Sequence, residues 1–197
     1  MKYGTRSWLL IAVLALACGN ALAAEFLVDG RLLIVKDTKL LKVVAKDAAG
    51  GMMPVPAVDG PADPLINGGS FQAFDTLSTG VLTDQLTNGV WTGLGSPPGS
   101  RGYKYKNTAA PVGGAVKSLL ITKTLIRIIA KDDGTLNGPV TGTVRILLSM
   151  GVDYYCAEFG GTTLANMEGI VKRKDAPAPA ASCLDIPARG ATIMGPR

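Results

Sequence analysis

Short runs of alternating apolar and polar residues, each cut off by glycine or proline, are what most constrains this chain. In "LLKVVAKD" (40–47), Leu41, Val43 and Ala45 fall on one side, and Lys42 and Lys46 on the other. A period of two marks a half-buried strand; an amphipathic helix needs apolar residues every three or four positions. "RLLIVKD" (31–37) is an apolar run rich in branched residues. "SFQAFDT" (70–76), "GVLTDQL" (80–86), "GYKYKN" (102–107), "TGTVRILLSM" (141–150) and "VDYYCAEF" (152–159) behave as strands, and "TTLANMEGIVKRK" (162–174) does so less regularly. About ten short strands with frequent turn residues predict an all-β fold: a single antiparallel β-sandwich with Greek-key or jelly-roll connections. "LLIVKDTKLLKVVAKDAAG" (32–50) also resembles "LLITKTLIRIIAKDDG" (119–134), which shared hairpin form explains without a duplication.

The opening segment belongs to a different category. Lys2 and Arg6 precede the apolar run "WLLIAVLALA" (8–17), and Ala21-Leu22-Ala23 is a small-x-small cleavage site. The run is shorter than the roughly 20 residues of a membrane span. Residues 1–23 therefore read as a signal peptide, and the mature product as secreted or periplasmic. A second reading sits in the same stretch: Ala15-Leu16-Ala17-Cys18 loosely fits a lipobox, which would make Cys18 an acylation site and the protein a lipid-anchored envelope protein. Residues 24–183 are the β-domain, and 184–197 a flexible C-terminal tail.

Cysteine and charge narrow the chemistry. Of three cysteines, Cys156 and Cys183 lie in the mature chain, and one pair in an oxidising compartment implies one disulfide. The alternating Ala-Pro of "DAPAPAASC" (175–183) favours an extended path, so the bond would staple the outgoing chain to the strand holding Cys156. Of 20 basic residues, Lys2 and Arg6 leave with the leader, so the excess over 15 acidic residues is small. The lysines are spread along the strands, which argues against nucleic acid as a partner.

There is no histidine. Ser-His-Asp and Cys-His catalysis and histidine-ligated metals are thereby removed. Two cysteines alone are too few for a zinc site. Asp132-Asp133-Gly134 suits a tight turn, and Asp153 and Glu158 fall on opposite faces of a strand, so neither makes a glycosidase pair. Asp59, Asp63 and Asn67 recur every four residues in the long segment 48–69, without the alternate ligands and closing glutamate of an EF-hand. Gly93-x-Gly95 runs into Ser96-Pro97-Pro98, where the prolines remove amides a phosphate cradle requires. The sequence predicts no enzyme, no metal and no cofactor.

"GVWTGLGSPPGSRGYKYK" (89–106) is the one motif dense enough to weigh as a binding site. As architecture, Trp91 and Leu94 anchor the core edge, the glycines supply backbone freedom, and Pro97-Pro98-Gly99 turns the chain. As a ligand site, Trp91, Tyr103 and Tyr105 would form a platform for sugar rings, with Arg101 or Lys104 bonding hydroxyls.

This stretch, followed by "YYCAEFGG" (154–161) and "APAPAASC" (176–183), resembles a group of exported bacterial β-domains of uncharacterised function. These carry Gly-Trp-x-Gly-Leu-Gly-x-Pro-Pro-Gly-Ser-x-Gly-Tyr-Lys-Tyr-Lys and end in Tyr-Cys-x-x-Phe-Gly-Gly and Ala-Pro-Ala-Pro-x-x-Cys. The likeness covers most of residues 26–183 and implies a β-domain without implying an activity. The group often has a further cysteine pair on the hairpin matching Lys117 to Lys131, where this chain has none. The expectation is a non-enzymatic structural or interaction module of the bacterial envelope or exterior, with glycans or envelope proteins as candidate partners; the alternative is a carbohydrate-binding domain using Trp91, Tyr103 and Tyr105.

Overall fold

The computed structural model describes residues 23–47, 50–78, 80–108, 115–131, 135–136 and 138–184. The expected leader with Cys18, the turn expected at Asp132-Asp133-Gly134 and the expected tail after Leu184 lie outside the described residues. The fold is all-β. Its strands are β1 (Glu25–Lys36), β2 (Leu40–Asp47), β3 (Gly69–Asp75), β4 (Val81–Leu86), β5 (Trp91–Leu94), β6 (Gly102–Lys106), β7 (Val116–Thr122), β8 (Ile126–Ala130), β9 (Val144–Met150), β10 (Asp153–Phe159), β11 (Thr162–Met167) and β12 (Ile170–Ala176). One turn of helix, α1 (Pro64–Asn67), precedes β3. "TTLANMEGIVKRK", expected as one strand, is a hairpin of two closing on Glu168-Gly169.

The expected antiparallel sandwich gives way to a single mixed sheet, strongly curled into a half-barrel. Hydrogen bonds run unbroken through β4-β3-β9-β10-β1-β2-β8-β7-β6-β5, and β12 joins β1 while β11 joins β12. The pairing of β1 with β10 is parallel. Chain connectivity explains the curl. Laid flat, the two ends of this ten-strand path would stand about 43 Å apart, at ~4.8 Å per strand. Yet β4 and β5, the end strands, are joined by Thr87–Val90 alone. Five Cα steps reach at most about 18 Å, so the sheet has to roll up.

The sheet forks at β1. Its first half pairs with β10 (Phe26 opposite Tyr155, Val28 opposite Ala157), and its second half with β12 (Leu33 opposite Arg173, Val35 opposite Val171). β2 accompanies both halves, with a bulge at Arg31 between the pairs Gly30–Ala45 and Leu32–Val44. One extra residue reverses which side chains face inward. Val28 thus points into the core before the bulge, and Leu33 and Val35 after it. At the fork itself there is no room for a side chain: a β-carbon on residue 30 would sit 2.6 Å from the Glu158 carbonyl and 2.9 Å from the Phe159 ring.

The two look-alike hairpins lie side by side. β2 pairs with β8 so that Val43 faces Ile128, Lys42 faces Ile129 and Val44 faces Arg127. Equivalent residues of the repeated pattern therefore meet about a local two-fold axis.

The long segment after β2 crosses the concave side of the sheet. Met53 is buried there and its N–H donates to the Lys123 carbonyl. The Tyr103 and Tyr155 hydroxyls donate to the carbonyls of Pro56 (3.2 Å) and Pro54 (3.0 Å). Asp63 ends the crossing: its carboxylate accepts the N–H groups of Asp59 and Leu65 and caps α1. Asn67 donates to the Pro61 carbonyl, so Asp63 and Asn67 serve as turn residues.

Past β12 the chain returns over the outside of β1 and β10. The Ala178 N–H donates to Asp29 and the Cys183 N–H to Glu25, both at 2.8 Å. Cys183 is bonded to Cys156 of β10, with Cα atoms 5.9 Å apart. Both sulfurs are buried. No helix among the described residues is long and apolar enough to cross a membrane.

Candidate functional site

Alternation in β6 decides the fate of the aromatic motif. Tyr103 and Tyr105 share one face of the strand, and Lys104 and Lys106 share the other. The tyrosine face is the inner one. Tyr103 is 0 % exposed, Tyr105 1 % and Trp91 7 %. Trp91 packs edge-on against Tyr105 with ring centroids 5.2 Å apart, and its indole N–H donates to the Leu86 carbonyl of β4. Of the five residues proposed for ligand binding, the structure brings together Trp91 and Tyr105 and seats Tyr103 further along the same interior. Lys104 projects from the opposite side of β6, and Arg101 lies exposed at the turn. They do not form one platform, and no ring presents a face to solvent.

The turn between β5 and β6 is shaped by its own backbone. The N–H groups of Gly99 and Arg101 both donate to the Leu94 carbonyl. Gly99 has φ of 95°, and a β-carbon there would meet the Tyr103 hydroxyl at 2.6 Å. Position 99 therefore excludes a side chain on two counts. Beside this turn an open depression of about 340 Å³ is lined by Met53, Val55, Pro56, Val58, Ser100 and Lys123.

The buried ionisable groups hold backbone in place. Burial pushes the Tyr103 phenol up to about 12, helped by Asp63 and Asp59 nearby. Burial also raises Tyr105, with Asp84 adding to it, and Tyr155, with Asp153 adding to it. These phenols stay protonated, and those of Tyr103 and Tyr155 donate to the crossing segment. Asp75 accepts the N–H groups of Leu77, Thr141 and Gly142. Arg173 donates to the Gly142 and Phe159 carbonyls at 2.8 and 2.9 Å. Burial lowers its pKa, opposed by the charge of Asp75. Asp153 is raised by burial, opposed by the Ala24 N–H, while Glu158 pairs with Arg145 at 2.7 Å on the outer side. The sequence gives little hint of the Arg173 role, since "KRKD" looks like a solvated run; the clue is that Val171 and Arg173 are two apart and so share a face.

Asp84 of β4, at one end of the curled sheet, reaches β7 near the other by accepting the Val116 N–H at 2.6 Å. Burial raises its pKa, opposed by the N–H groups of Val116, Gln85 and Ala115. The folded chain therefore holds this proton more tightly than the unfolded chain does. The corresponding stability is full below the ordinary carboxylate value and is lost as pH rises through the folded-state value. Asp84→Asn keeps an acceptor but no titration. Urea unfolding at pH 7 and pH 4.5 is expected to show wild type gaining on the variant at the lower pH; an unchanged difference would refute the raised carboxyl.

No family model, curated protein or solved structure matches the chain. What it does has to be argued from the arrangement of its own residues.

Proposed function

We propose that this chain is an exported, non-enzymatic interaction module of the bacterial envelope or exterior, akin to the β-domain group its segments resemble. The observation that carries this reading is where the chemically loaded residues go. Trp91, Tyr103 and Tyr105 are turned into the core. Asp63, Asp75, Asp84 and Arg173 are spent on backbone N–H and carbonyl groups. The disulfide supports a site of action in an oxidising compartment. Among the described residues, the polar side chains left without such duties lie mainly on the outside of the sheet.

Trp91 fluorescence during titration with a glycan panel tests the reading, Trp8 being the only other tryptophan and lying in the leader. The ring, packed on Tyr105, is expected to give no saturable shift. A saturable shift with any glycan would install carbohydrate binding in its place. Turnover of glycoside, ester or phosphoester substrates that disappears in Asp153→Asn or Glu158→Gln would overturn the non-enzymatic part.

A further inference from the structure

Strand register gathers cations that are scattered in the sequence. From β12 across β1, β2, β8 and β7 to β6, one outward row reads Lys172, Ile34, Lys42, Ile129, Ser118, Lys106. The next row reads Lys174, Leu32, Val44, Arg127, Leu120, Lys104. Six strands at ~4.8 Å make this face about 24 Å wide. Acidic residues on these strands lie outside the two rows: Glu25 and Asp29 in the first half of β1, which accept the Cys183 and Ala178 N–H groups, Asp47, which accepts the Gly51 N–H, and Asp175, which meets Lys174 at 3.5 Å and Arg31 at 4.0 Å. Among the described residues, Lys42, Lys104, Lys106, Arg127 and Lys172 have no ion-pair partner. Elsewhere on the sheet, by contrast, the outward Arg145 of β9 is neutralised by Glu158.

We infer that this convex face binds an anionic lipid surface. Resting on the reading of an exported interaction module, the inference names its partner. Three features select lipid among polyanions. Lysine outnumbers arginine five to one in the two rows, and a hydrated point charge on a flexible stem suits a field of phosphates better than forked recognition of one group. The aliphatic residues between the cations are only half-buried, leaving apolar area to meet an interface while the lysine heads stay in the headgroup layer. The rows hold no aromatic side chain, since Tyr103 and Tyr105 face inward, so nothing stacks on bases or sugar rings.

Cosedimentation of the mature protein with phosphatidylglycerol–phosphatidylcholine vesicles, against phosphatidylcholine alone, tests this in low and physiological salt. Binding is expected only to the anionic vesicles and to weaken with salt. The triple variant Lys42→Glu, Lys104→Glu, Arg127→Glu is expected to lose at least about 100-fold in affinity, since removing each cation near an anionic surface costs roughly fivefold and the added carboxylates repel it further. Lys42→Gln, Lys104→Gln, Arg127→Gln serves if the glutamates disturb folding, which circular dichroism and melting report. Lys39→Glu, Arg101→Glu, Lys123→Glu makes the same change of net charge in turns and is expected to retain binding. Equal binding to neutral vesicles, or equal loss in the turn variant, overturns the inference. So does preference for dextran sulfate or duplex DNA over the vesicles, which would reassign the face to another polyanion. Failure to bind any of them removes the lipid assignment while leaving an envelope protein as partner of the module; enzymatic turnover alone would remove the module.

Discussion

Cys183→Ser is expected to unfold about 10 °C below wild type under oxidising conditions. The bond closes a separation of 27 residues. Chain-entropy arithmetic gives about 3.5 kcal/mol for a loop of that size, and in a domain of this length each kcal/mol moves the midpoint by roughly 2–4 °C. The native contacts around the bond point the same way. Cys183 docks its N–H on Glu25 and Ala178 docks on Asp29, so the returning segment covers the first half of β1 and β10. Without the sulfur bridge, the segment is left to those hydrogen bonds and to the packing of buried Pro179. Reduction of wild type is expected to reproduce the shift, and limited proteolysis to open the 177–184 segment first. A midpoint indifferent to both reductant and substitution would show that the staple contributes nothing.

Trp91→Ala is expected to cost about 3–5 kcal/mol, the usual loss for a large buried aromatic. Trp91 sits where the curled sheet nearly meets itself. From β5 it donates to the Leu86 carbonyl of β4, the strand at the other end of the path, and it packs on Tyr105. Truncation removes the ring and leaves an acceptor without its donor. Trp91→Phe retains most of the apolar contact and is expected to lose less than half as much. Denaturant unfolding of the three proteins checks this. A fully stable Trp91→Ala would mean that the ring is a surface feature held for a ligand.

How much of this was legible beforehand follows from the range of the interactions involved. Period-two patterns are local, so β2, β3, β4, β6, β9 and β10 could be read directly, and alternation in "GYKYK" already separated tyrosines from lysines. Which of those two faces is the core could not be read, because both are regular. The cysteine pair needed only counting. The sandwich expectation failed because sheet number depends on which strands pair over long distances. The parallel contact of β1 with β10, the fork at Gly30 and the short link from β4 to β5 all lie beyond local pattern. The bulge at Arg31 is equally silent, since an inserted cation in "GRLLIV" looks like any strand residue. The lysine rows are silent for the same reason: dispersed along the chain, the lysines are collected only by register.

The placement of β1 has a kinetic consequence. The strand that comes first in the domain lies in the middle of its sheet, clasped by β10 and β12 from the far end of the sequence, and its Asp29 bonds to a residue 149 positions later. Hairpins such as β1–β2 and β7–β8 close over short loops, but the sheet cannot be assembled until nearly the whole domain is present. Sheets dominated by such distant partners form in milliseconds to seconds instead of microseconds. Through that wait β1 carries an unpaired apolar edge, the kind of surface that recruits other chains when left bare.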